Sequence, residues 1–86
     1  MIIKFRKRPI EIEAIQWVNN EPEIRLFIGN DSNVKFKDGG TLELWNDEKQ
    51  SWINCPMFHW VSKGIKGELD CISPEILERT YDKLPE

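Results

Sequence analysis

The chain reads as α+β, a twisted and mostly antiparallel sheet or open barrel of about six short strands with two short helices. Three observations predict this. Short segments with period-two hydrophobicity, rich in β-branched and aromatic residues, recur at "IEIEA", "NVKFK", "TLELW", "SWINC", "FHWVS" and "GELDCIS". Glycine, asparagine and proline separate them at hairpin spacing. Two stretches, "NNEPEIRLFIGN" and "SPEILERTY", carry helix starts.

In "RPIEIEAIQW", Ile10, Ile12 and Ala14 alternate against Glu11 and Glu13, giving one dry and one wet strand face. The phase slips at Ile15, since Ile15 and Trp17 fall on the glutamate face; this implies a bulge or a strand end buried on both sides. Pro9 cannot donate to a ladder, so the join to "KFRKR" belongs at a sheet edge or bend.

Next comes a helix of about two turns. Asn20 stands at N-cap spacing with Glu23 three residues on, Pro22 lies in the first turn, and Gly29-Asn30 supplies the stop. Ile24, Phe27 and Ile28 share its apolar face. "NVKFK" and "TLELW" flank "DGG", with Val34, Phe36, Leu42 and Leu44 facing one way and Lys35 and Lys37 the other. "NDEKQ" is a second polar turn before "SWINC". After Pro56 the extended pattern resumes at "FHWVS". A bend at Gly64 and Gly67 leads into a last strand with Leu69 and Cys71 on one face, and a positive φ is expected at one of the two glycines. Ser73 caps a final helix with Pro74 at its first position and Ile76, Leu77 and Tyr81 on its apolar side.

With 86 residues there is room for one domain, taken as 1–86, and one modest core. No apolar run approaches the ~20 residues of a membrane span, and "MIIKFRKRPI" lacks the apolar stretch of a signal peptide, so a cytoplasmic location in the cell that makes it is expected. Cys55 and Cys71 are then expected to be reduced thiols. Net charge is −3, yet Lys4, Arg6, Lys7 and Arg8 cluster near the start while Glu11, Glu13, Glu21 and Glu23 follow them. An acidic chain disfavours a dedicated nucleic-acid binder, so nucleic-acid binding through the basic strand is expected to be weak or absent.

No catalytic set emerges. His59 is the single histidine; Cys55 and His59 have a spacing that would suit zinc on a helix, but Pro56 and the β pattern oppose a helix there. Cys71 with His59 is the only Cys-His nucleophile pairing to weigh, with Cys71 just before a helix cap. "GIKG" lacks the spacing of a phosphate-binding loop. No cofactor is expected. Four tryptophans and four phenylalanines exceed what so small a core holds, which points to aromatic surface covered by a partner or by a second copy in a homodimer. The candidate binding residues are Arg6, Arg8, Trp17, Trp45, Trp52, His59, Trp60 and Lys63.

"KFRKRPIEIEAIQW" (residues 4–17) and "HWVSKGIKGELDCISPEILERTY" (residues 59–81) together resemble the two ends of a family of short proteins of tailed bacteriophages and prophages. The shared positions at the second end are Lys63, Gly64, Gly67, Glu68, Pro74, Ile76, Thr80 and Tyr81, a bend, a cap and a helix. This chain departs from the family at Phe58 and His59, where a Gly-Asp pair is usual, and at Cys71, which is displaced by one position. The resemblance carries no activity. It implies a small accessory protein, and with the aromatic surplus it leads to the expectation of a non-enzymatic module binding a host or phage protein.

Overall fold

The structure, a computed structural model, describes residue 3 and residues 12–80. The strands are β1 (Glu13–Gln16), β2 (Val34–Phe36), β3 (Leu42–Asn46), β4 (Ser51–Cys55), β5 (Trp60–Lys63) and β6 (Leu69–Ile72). The helices are α1 (Glu21–Ile28) and α2 (Pro74–Thr80), with a 3-10 turn at Asp31–Asn33. The fold is α+β. Its six strands divide into two three-stranded antiparallel sheets, ordered β1-β5-β6 and β2-β3-β4, and no barrel closes among the described residues.

Strand alternation builds the core. In β2-β3-β4 the register sets Val34 opposite Leu44 and Phe36 opposite Leu42, and Leu42 in turn opposite Cys55, so these side chains share the inner face. The other sheet contributes Val61 and Leu69, α1 contributes Ile24 and Ile28, and Trp17 follows β1 into the same cluster. Removing each such aliphatic side chain from water contributes roughly 1.5–3 kcal/mol, which is what holds a helix as short as α1.

Two side chains tie one sheet to the other. The Trp17 Nε1–H donates to the carbonyl of Gly40, in the β2–β3 turn, at 2.7 Å. The Asn46 amide, buried at the end of β3, donates to the carbonyl of Leu69 on β6 at 2.6 Å and accepts the backbone N–H of Lys49 at 2.7 Å. "NDEKQ" is therefore a turn whose first residue belongs to the interior. Asn46 continues the inward face of Leu42 and Leu44 along β3.

Several local expectations are refined. β1 pairs with β5 without interruption from Glu13↔Lys63 to Gln16↔Trp60, so the phase slip at Ile15 marks a strand half-buried on both faces, with no bulge across those pairs. Asn20 does stand at the N-cap of α1, but no capping box forms. Its Oδ1 accepts from Val18 N–H and its Nδ2 donates to the carbonyl of Gln16, closing the turn before the helix instead. The strand expected over "FHWVS" begins only at Trp60, because Phe58 turns the chain with φ 72°. Gly67 has φ 81°, and its N–H donates to the carbonyl of Gly64, as the bend requires. Ser73 Oγ accepts from the Ile76 N–H at 3.3 Å. Ile76, however, is 57% exposed, so the apolar side expected for α2 is not buried there. Tyr81 lies outside the described residues, as do Pro9 and the strand portion before Ile12.

Candidate functional site

The outer face of β2-β3-β4 gathers the unusual chemistry. Alternation that buries Leu42, Leu44 and Cys55 turns Lys35, Glu43, Trp45, Trp52 and Asn54 outward. Trp45 and Trp52 are register partners on β3 and β4, and their rings meet edge-to-face with centroids 5.5 Å apart at 63°. Such a cross-strand aromatic pair stabilises a sheet by ~0.5–1 kcal/mol beyond its area. Both indoles remain half-buried. The Lys35 ammonium lies 4.1 Å from the Trp52 ring centroid, and Trp45 Nε1–H donates to Asp47 at 2.8 Å. Beside them Lys37 and Glu43 pair at 3.0 Å. The result is a rigid aromatic platform whose rings are fixed by neighbours, with polar groups around its rim.

The residues singled out from the sequence are not all brought together. Trp45 and Trp52 meet on this platform. Trp17, expected as a possible anchor, is 3% exposed and belongs to the core; its indole finds the Gly40 carbonyl, so it drops out of the binding set. Trp60 is half-buried on β5, on the face it shares with Ser62 and Asp70 and opposite that of Val61 and Leu69, so it lies on a different sheet from the platform. Lys63 places its ammonium 4.8 Å from the Phe27 ring centroid, where it clamps α1 to β5. Arg6 and Arg8 fall outside the described residues.

His59 precedes β5. Its backbone carbonyl accepts from Trp17 N–H at 2.9 Å, and its Nδ1 is buried without a hydrogen-bond partner among the described residues. The imidazole sits beside the Phe58 turn, and among the described residues no carboxylate orients it as one orients a general base. Cys55 ends β4 and His59 lies in a turn, so the helical spacing a zinc pair needs is absent there. Among the described residues no group of three or more histidine, cysteine or acidic side chains converges as a metal site.

Cys55 and Cys71 are free thiols that pack in the same core cluster. Interaction with Cys71, together with burial, pushes the Cys55 thiol well above the ordinary range, while Cys55 draws Cys71 downward. A groove of about 190 Å³ runs past Asn46, Lys49, Ser62 and Asp70. Its polar groups are engaged with one another: Lys49 approaches Asp70 at 4.0 Å, and Ser62 Oγ–H donates to the Asp70 carbonyl at 3.4 Å.

Lys35, Glu43 and Asp47 were not among the residues chosen from the sequence, although alternation along "NVKFK" and "TLELW" places the first two on the same face as Trp45. What was missing was the pairing register, which alone sets Trp45 against Trp52. No family model, curated protein or solved structure matches the chain.

Proposed function

We propose that this chain is a non-enzymatic binding module that engages a partner protein through the outer face of β2-β3-β4. The observation that carries this reading is the half-buried, outward-facing Trp45–Trp52 pair held edge-to-face at 5.5 Å. Tryptophan dominates interface hot spots because it contributes a large contact area with little rotamer freedom to lose. Here that freedom is already reduced by Lys35 on one ring and Asp47 on the other. The resemblance of both chain ends to small phage and prophage proteins supports a host protein as the target, with the chain acting as an accessory that modulates it.

A nucleic acid stacking on the same indoles is the competing reading. It is disfavoured because Lys37 is paired with Glu43, Lys35 covers Trp52, and the chain carries net charge −3. One experiment separates the readings. The wild-type chain and a Trp45→Ala, Trp52→Ala variant, both checked for folding by circular dichroism, serve as baits in host lysate with and without nuclease. A stoichiometric partner retained after nuclease and weakened about 30-fold or more by the double variant is expected. Undiminished capture by the variant sinks the platform, and capture abolished by nuclease favours the nucleic-acid reading. A Trp60→Phe chain should bind as wild type, since Trp60 lies on the other sheet.

A further inference from the structure

The two lysines beside the tryptophan platform, Lys35 and Lys37, are held in different ways. Lys37 pairs with Glu43 at 3.0 Å. Lys35 stands directly opposite Glu43 in the β2–β3 register, yet that carboxylate is taken by Lys37. The Lys35 side chain instead crosses β3 to the Trp52 ring on β4, where its ammonium lies 4.1 Å from the centroid. Among the described residues Lys35 makes no ion pair. The carboxylate of Asp47, at the rim, is engaged by the Trp45 Nε1–H. The indole of Trp52 thus fixes the Lys35 ammonium in place without cancelling its charge.

We infer that the partner presents a carboxylate to Lys35, from an aspartate or glutamate next to the apolar side chain that covers the indoles; this rests on the platform being the binding surface. A partner that covers Trp52 also strips water from the ammonium lying on its ring. A desolvated ammonium with no counter-ion is strongly unfavourable, whereas one that is paired and hydrogen-bonded is tolerated. The partner therefore has to bring the anion that this face does not supply. One carboxylate fits, and a polyanion does not. Glu43 lies on the face, Asp47 at its rim and Glu48 in the β3–β4 turn, so a phosphodiester strand would meet three carboxylates around a single unpaired cation. Affinity for nucleic acid comes from several phosphate–cation contacts at once, which this face does not offer. The partner segment is thus acidic and apolar together.

The test presents a random library of short linear peptides to the intact wild-type chain and to three variants, Lys35→Met, Lys35→Glu and the Trp45→Ala, Trp52→Ala double variant. Each is first checked for folding by circular dichroism. Methionine keeps an apolar side chain over Trp52 and removes the charge. The wild-type chain should select peptides with Asp or Glu beside an aromatic or aliphatic residue. One such peptide, titrated by fluorescence anisotropy, should bind the Lys35→Met chain about 10-fold or more weakly. The Lys35→Glu chain should select Lys or Arg in place of the acid. Selected peptides that lack an acid, no selection by the wild-type chain, or equal binding to wild type and Lys35→Met each overturn the inference. If the tryptophan double variant still loses those peptides, the platform stands as the binding surface without the charge rule. If it binds them as wild type does, the platform falls as well. Tighter binding of an oligothymidylate or oligouridylate than of the peptide, weakened by Lys35→Met, puts a nucleic acid in the partner's place and overturns the inference too.

Discussion

The indole of Trp17 reaches across from the end of β1 to the carbonyl of Gly40, 2.7 Å away in the turn between β2 and β3. A residue of one sheet is thereby fixed to the hairpin of the other. Gly40 accommodates the contact with φ 85°, and a Cβ there would stand only 3.0 Å from Met57 Cε. Trp17→Phe keeps an aromatic ring in the core but leaves that carbonyl without its donor. A loss of about 1–3 kcal/mol is expected in urea titration, against about 3–5 kcal/mol for Trp17→Ala. Equal costs for the two variants would mean that the hydrogen bond contributes and the ring does not.

Asn46 makes the second tie. Its amide serves Leu69 and Lys49 at once, and the side chain is buried at 2% exposure. Asn46→Leu matches it in approximate size but removes both partners, leaving one carbonyl and one N–H to find water. A destabilisation of about 2–3 kcal/mol is expected. Amide exchange should accelerate at Lys49, whose N–H loses its acceptor. An unchanged urea midpoint would show that water replaces the side chain at no cost.

Phe58 and Gly67 hold the same left-handed backbone, with φ 72° and 81°. The glycine adopts it freely and the phenylalanine does not. Gly67→Ala meets no neighbour within 4 Å, so its cost is conformational alone, about 1 kcal/mol. Phe58→Gly should hold or raise stability, because the ring is 61% exposed and little burial is lost. A Phe58→Gly chain less stable by more than about 1 kcal/mol would show that the ring contributes contacts its exposure does not suggest.

The thiol pair also makes stability depend on pH in the reduced protein. Cys55 is raised above the ordinary thiol value of 9.0 by its interaction with Cys71 and by burial. Its contribution is therefore complete below that value and is lost as pH rises beyond it, since the unfolded chain ionises first. Cys71 is shifted downward and acts oppositely, adding stability as pH climbs toward 9.0. Urea midpoints should accordingly reach a maximum near pH 9 and then fall. The part of the decline due to Cys55 has a slope of up to about 1.4 kcal/mol per pH unit. That part should vanish in a Cys55→Ala chain measured alongside.

Much of the fold is legible along the chain because its determinants are local. Alternation at "NVKFK" and "TLELW", the Asp-Gly-Gly turn, Ser73-Pro74 before α2 and Gly67 at the bend each follow from the conformational preferences of a few adjacent residues. So does the outward placing of Lys35 and Trp45. Other features depended on which distant residues meet. Four tryptophans look alike in sequence; Trp17 is buried because a carbonyl 23 positions away accepts its N–H, whereas Trp45 and Trp52 become one platform because the β3–β4 register sets them opposite. Asn20 illustrates the same limit at short range, since its side chain had two backbone sites in reach and the preceding turn outcompeted the helix. Composition and periodicity determine which faces are dry. Which dry faces meet, and so which polar groups are brought into contact, is decided by packing between sheets, where a single hydrogen bond or register choice selects among patterns that are locally equivalent.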